Sequence, residues 1–170
     1  MNAEIRAAVQ ALRNGQLVRF PSDTVWSLGG DATRPETVAK LREAAGIPAE
    51  QGLIVLLWDS SVLDRYVVRL PELAYDLIDY AEDPLTVVFS QGKNVAGNVS
   101  GPDGSIAIRV VKDGPCLELL RAFGGPVLST VAPAAEVDAH LFPAPPSWKA
   151  GKLSRIVRLG SGGEFEFIRK

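Results

Sequence analysis

The chain of 170 residues carries one cysteine and one histidine, and each scarcity removes a class of chemistry. Cys116 has no partner for an internal disulfide, so the fold must rest on its apolar core, and a lone thiol is expected in a reducing cytoplasm. Its setting, Gly114-Pro115-Cys116-Leu117-Glu118-Leu119-Leu120, reads as the first turn of a buried helix. No cation stands nearby to lower the thiol pKa, so Cys116 is read as a packing group and not a nucleophile. His140 lies in Ala139-His140-Leu141-Phe142-Pro143 without a second ligand at metal spacing, and no metal site is expected. Neither sign of charge dominates, with 18 basic against 20 acidic side chains, so a uniformly basic nucleic-acid footprint is absent. No apolar run approaches the ~20 residues that cross a bilayer, and Met1-Asn2-Ala3-Glu4-Ile5-Arg6 lacks a signal-peptide core. No membrane partner is expected.

What is present is the composition of a folded protein, 46% apolar and 22% charged, long enough for one α/β domain over residues 1–170. Ile5, Ala8, Val9 and Leu12 share a helical face over residues 4–14, and Asn14-Gly15 supplies a stop. Leu17-Val18-Arg19-Phe20 reads as a strand broken by Pro21, followed by a polar loop. A second helix starts near Arg34-Pro35-Glu36 and ends at Gly46 and Pro48. Leu53 to Leu57 is a continuous apolar run, as expected of a strand covered on both faces. Helical turns are expected around Leu63 and over 72–81, strands over 85–89 and 105–111, and a loop over 91–104. A helix over 115–123 stops at Gly124-Gly125-Pro126, a strand covers 127–130, and 133–146 is proline-rich and irregular. The end reads as a hairpin, 154–159 and 164–168, turned through Gly160-Ser161-Gly162-Gly163. Interleaved strands and helices give a mixed sheet flanked by helices.

The segment from Leu17 through Pro21-Ser22-Asp23-Thr24-Val25-Trp26-Ser27-Leu28-Gly29 to Asp31-Ala32 resembles the opening signature of the YrdC-like, threonylcarbamoyl-AMP synthase family. Other family elements recur in order. They are Gly52-Leu53-Ile54-Val55, Pro84-Leu85-Thr86, Ile108-Arg109-Val110, the run Pro126-Val127-Leu128-Ser129-Thr130, and the ending Ser154-Arg155-Ile156-Val157 with Ile168-Arg169. The resemblance covers essentially the whole chain. It implies a twisted mixed sheet with helices on both sides and a concave ligand surface. It implies a nucleotidyltransferase activity that joins ATP, threonine and bicarbonate into threonylcarbamoyl-AMP, for a tRNA modification. ATP and magnesium would then be reactants, with no tightly bound cofactor.

Several of the family's chemical positions read differently here. Its Lys-x-Arg pair falls on Ala45 and Ile47, so both cations are replaced. The Lys40-Leu41-Arg42 run is expected to be a solvated helical face instead. The Thr-Ser-Ala-Asn motif reads Thr130-Val131-Ala132-Pro133, which removes a hydroxyl, a carboxamide and a backbone N–H. Glu82 and Asp83 add carboxylates that would repel a polyphosphate if they faced the pocket. The retained ligand-binding candidates are Ser22, Asp23, Thr24, Trp26 as an aromatic wall, Arg109, Ser129, Thr130 and Ser154, with Arg155 as a substitute cation. No residue is assigned as catalytic. Ser22, Asp23 and Thr24 can equally serve only to order their turn. The reading is therefore synthase chemistry that is weakened or lost. Its alternatives are a non-catalytic module for a nucleotide or threonine-like small molecule, or an RNA-binding rim made from Arg65, Arg69, Lys149, Lys152, Arg155 and Arg158.

Overall fold

The computed structural model describes residues 2–170. In chain order the elements are α1 (Ala3–Arg13), β1 (Val18–Pro21), β2 (Trp26–Gly29), α2 (Pro35–Ala45) and β3 (Ile54–Leu57). A 3-10 turn (Ser60–Arg65), α3 (Leu73–Asp79), β4 (Leu85–Phe89), β5 (Ile106–Val110) and α4 (Gly114–Phe123) follow. The chain ends with β6 (Val127–Val131), β7 (His140–Leu141), β8 (Arg155–Leu159) and β9 (Phe165–Arg169). The strands form one sheet in the order β7-β1-β2-β6-β3-β5-β4-β8-β9. The β1–β7, β3–β5 and β4–β8 pairings are parallel and the others antiparallel, so the sheet is mixed, as expected.

Local signals account for the helices. The Asn2 side chain accepts from Ile5 N–H at 2.8 Å and caps α1. Pro35 opens α2, and left-handed glycines close α2 and α4 at Gly46 (φ 66°) and Gly124 (φ 72°).

Alternation along the strands sorts the interior into two apolar layers. Val55, Leu57, Val87, Phe89, Leu128, Val157 and Leu159 pack with α2, α3 and the 3-10 turn on one face. Val18, Phe20, Leu56 and Val127 pack with α1 and α4 on the other. Residues of the second parity also include Thr86, Arg109, Ser129 and Arg158, and there α1 and α4 no longer cover the sheet. A polar concave surface is left on that part of the second face.

Three elements depart from the sequence reading. Pro21 does not break β1 but is its last residue, paired with Trp26. On its other side β7 pairs only with Val18 and Arg19, so the missing N–H of Pro21 leaves no ladder bond unmade. The signature loop turns directly back into β2, where a Cβ on Gly29 would collide with the Leu128 carbonyl of β6. Only glycine lets those strands approach. The irregular 133–146 segment contributes the short β7.

Candidate functional site

The open part of the second face is the floor of a cavity of about 670 Å³. Thr86, Ala107, Arg109 and Ser129 rise from the central strands, and Ser154 and Arg158 come from the C-terminal hairpin. Two loops complete the rim, one carrying Ile47, Glu50 and Gln51, the other Gly101, Asp103 and Ser105.

Of the residues singled out in the sequence, Thr24, Arg109, Ser129, Thr130 and Ser154 come together on this wall. Ser22 lies beneath it as the organiser of the signature turn. Its Oγ accepts from the N–H groups of Thr24 (3.1 Å) and Val25 (3.2 Å) and donates to the Val25 carbonyl at 2.7 Å. With that proton committed, the 3.1 Å contact between the two hydroxyls has Thr24 as donor, and Thr24 lines the cavity. Asp23 is turned toward Arg109. Arg109 Nε donates to its two carboxylate oxygens at 3.0 and 3.2 Å, and Nη2 lies 3.0 Å from Oδ1. Both side chains are buried, at 4% and 6% exposure, so Arg109 reaches the wall with its charge already matched.

Two candidates sit elsewhere. Trp26 does not line the cavity; it packs edge-to-face on Trp148 with ring centroids 5.5 Å apart. Trp148 Nε1 donates to the Ser22 carbonyl at 2.9 Å, which ties the signature turn to the C-terminal segment. Trp26 is thus a brace for the turn, because β-alternation gives the wall to Ser27. Arg155 has the parity of Val157 and Leu159, and its guanidinium stacks on Phe167 at 5.8 Å, away from the wall. The hairpin cations that do line the cavity are Arg158 and Arg169.

The substituted positions also resolve. Ile47 stands on the wall where the family resemblance places a cation, and Val131 stands where it places a hydroxyl. Glu82 and Asp83 border a separate cavity of about 200 Å³ with Asp23 and Asp113, so they do not face the main one. Arg42 is not a solvated side chain: its guanidinium donates to the carbonyls of Pro48, Gln51, Asn98 and Val99. Burial lowers its pKa. Cys116 is buried in the α1/α4 layer, and desolvation raises its pKa well above the ordinary thiol value.

Sequence reasoning missed Thr86, Glu50 and Asp103 as wall residues and placed Arg158 on an outer rim. Thr86 had a readable signal, a lone hydroxyl on a strand otherwise apolar; it meets Ser154 Oγ at 2.8 Å. Once the Arg109–Asp23 pair is set aside, the wall offers two guanidinium groups, Arg158 and Arg169, against two carboxylates, Glu50 and Asp103. That is a nearly neutral cavity rich in hydroxyls. It suits a small ligand with one anionic group and offers no concentration of positive charge. Among the described residues no cluster of His, Cys, Asp and Glu forms that could hold a metal ion, and no helix is long and apolar enough to cross a membrane.

Comparison with known proteins gives these features a lineage. The model of the Sua5/YciO/YrdC family, described as telomere recombination, matches residues 10–144. The threonylcarbamoyl-AMP synthase of Halorhodospira halophila is 36% identical over 138 residues, covering 80% of this chain and 72% of that protein. The threonylcarbamoyl-AMP synthase of Hahella chejuensis is 32% identical over 150 residues, covering 86% and 82%. Among solved structures, E. coli YciO superposes with a TM-score of 0.80 at 20% identity over 98% of this chain and 88% of that one. P. abyssi Sua5 complexed with L-threonine superposes with a TM-score of 0.77 at 24% identity over 91% of this chain. The chain spans half the length of that Sua5. The twisted mixed sheet flanked by helices is therefore the fold of these structures, and the chain belongs to the Sua5/YciO/YrdC family, among homologues of threonylcarbamoyl-AMP synthase.

Proposed function

We propose that this protein is a threonylcarbamoyl-AMP synthase homologue whose cavity binds a small acidic ligand, threonine-like or a nucleoside monophosphate, and whose synthase turnover is weak or lost. The single observation that carries this reading is Ile47 on the cavity wall with Glu50 beside it, at the rim where the family resemblance calls for a lysine and an arginine. Forming an acyl-adenylate requires cations to hold the triphosphate as pyrophosphate leaves. Here an alkyl side chain and a carboxylate occupy that rim. Val131 and Pro133 further remove a hydroxyl and a carboxamide, each worth about 1 to 3 kcal/mol where a binding site relied on it. Two such losses weaken nucleotide binding by roughly two decades or more.

ATP and magnesium belong to this reading only as reactants of the ancestral chemistry. The retained hydroxyls of Thr24, Ser129, Thr130 and Ser154 and the anchored Arg109 provide the polar part of a small-molecule site. The protein acts in the cytoplasm, where its unpaired thiol stays reduced.

Pyrophosphate release from ATP, L-threonine and bicarbonate is the test, run beside an active threonylcarbamoyl-AMP synthase. The expected rate is at least about a hundredfold lower than that control. Thermal shifts are expected with L-threonine or AMP and smaller ones with ATP–magnesium. Turnover comparable to the control overturns the loss of catalysis, and no shift with any of the three ligands overturns the cavity reading.

A further inference from the structure

The wall cations differ in how far the protein already uses them. Arg109 is neutralised by Asp23. Arg169 is held by the strand end of the hairpin, its Nε donating to the Ser154 carbonyl at 2.8 Å and its Nη2 to Ser154 Oγ at 3.4 Å. The Arg158 side chain makes no hydrogen bond among the described residues, its backbone serving the β8 ladders. Its neighbours across the sheet are Val88 on β4, which offers no polar side chain, and Glu166 on β9. Its anionic partner across the cavity mouth is Asp103, 4.0 Å away, and the two side chains are 51% and 59% exposed. A contact that long and that wet holds little energy and is easily displaced.

Asp103 is much more firmly placed. Its Oδ1 accepts from Ser105 N–H at 3.0 Å and from Ser105 Oγ at 2.7 Å. These bonds, with Arg158 adding to them, hold its carboxyl below the usual range, so it is ionised at neutral pH. A fixed carboxylate thus faces a guanidinium whose five N–H donors are all available.

We propose that Arg158 is the receptor for the anionic group of the cavity's ligand and that Asp103 is its displaceable counter-ion, so that the site admits a compact oxyanion and rejects a polyphosphate. The inference rests on the small-ligand reading above and specifies its chemistry. A carboxylate or phosphomonoester can take two parallel N–H donors of Arg158, which the 4.0 Å contact with Asp103 does not. A longer polyphosphate carries further charge toward Asp103 and Glu50, which share this wall. Asp103 would then act as a charge filter built into the 91–104 loop.

Calorimetry on the full chain with L-threonine, AMP and ATP–magnesium separates the alternatives, using wild type, R158Q, R158K and D103N. Wild type is expected to bind L-threonine or AMP more tightly than ATP–magnesium; the first ligand reports a carboxylate and the second a phosphomonoester. R158Q is expected to weaken that binding about tenfold, with R158K intermediate because it keeps charge without the paired donors. D103N is expected to tighten ATP–magnesium binding several-fold and so narrow the preference. Binding by R158Q within twofold of wild type, while T130A weakens it, places the anion elsewhere and sinks this inference alone. Unchanged ATP–magnesium affinity in D103N sinks the filter. Failure of wild type to bind any of the three removes both this inference and the reading beneath it.

Discussion

At the scale of single residues, the Asp23–Arg109 pair shows how a motif residue can be structural and site-forming together. Both side chains are nearly inaccessible, so removing one partner strands a charge in a medium that cannot solvate it. D23A is expected to lower unfolding stability by about 3 to 5 kcal/mol in urea denaturation. Replacing both residues by apolar ones of similar size is expected to cost much less, because no lone charge remains. The pair joins a turn to a strand 86 residues away, which the sequence could not announce: Asp23 and Arg109 each read as ligand groups when viewed alone. Cys116 was legible, since its immediate neighbours in sequence carry no cation and its helix face is apolar; Arg109 does approach it in the fold, but burial outweighs that charge. Burial raises its pKa, so the reactive thiolate is scarce even in mild alkali. Native protein at pH 8 is expected to resist a thiol-specific chromogenic reagent and to release one equivalent after denaturation; rapid native labelling would show that the α1/α4 layer opens readily.

At the scale of elements, the cavity rim depends on a side chain that lies outside it. Arg42, on the last turn of α2, reaches both rim loops at once, with Nη1 2.7 Å from the Pro48 and Gln51 carbonyls and Nη2 2.8 Å from that of Asn98. The loops are pressed together: a Cβ on Gly101 would lie 2.8 Å from the Glu50 carbonyl. R42A is expected to cost about 1 to 3 kcal/mol and to speed amide exchange at Leu53 and Val99, whose N–H groups bond Val99 and Ala96 carbonyls in this region. R42K recovers only part of this, since an ammonium cannot span four carbonyls. Equal protection in R42A and wild type would show that the rim holds itself. Helical periodicity places Arg42 on a polar face but cannot see loops returning from Asn98, and so the solvated reading failed. β3 was readable from its continuous apolar run, and β5 from the alternation of Ile106, Ile108 and Val110 with Ala107 and Arg109. β2 and β7 were not, because β2 is half signature turn and β7 is two residues in a proline-rich segment.

At the scale of the whole molecule, fold and chemistry are carried by opposite parities of the same strands. Residues facing α2 and α3 fix the sheet, while their neighbours in sequence face the cavity and can change without moving the backbone. On the proposed reading, that separation lets the family fold persist while Val131 on β6 and Ile47 on the adjoining rim loop stand in for polar groups, and it makes the replacement reversible. Val131 is 55% exposed at the end of β6, and Ala45 lies at the C-terminal end of α2, where a cation is favoured by the helix dipole. Pro133 already presents its carbonyl to Arg19, a contact that asparagine keeps. The combined variant A45K/I47R/V131S/P133N is therefore expected to fold as the parent does and to bind ATP–magnesium about a hundredfold more tightly, measured by calorimetry. If binding stays as weak as in the parent while the melting temperature is unchanged, the wall has shifted beyond these side chains. The separation of parities would then be incomplete, with the rim loops, and not the substituted residues, limiting access to the phosphates.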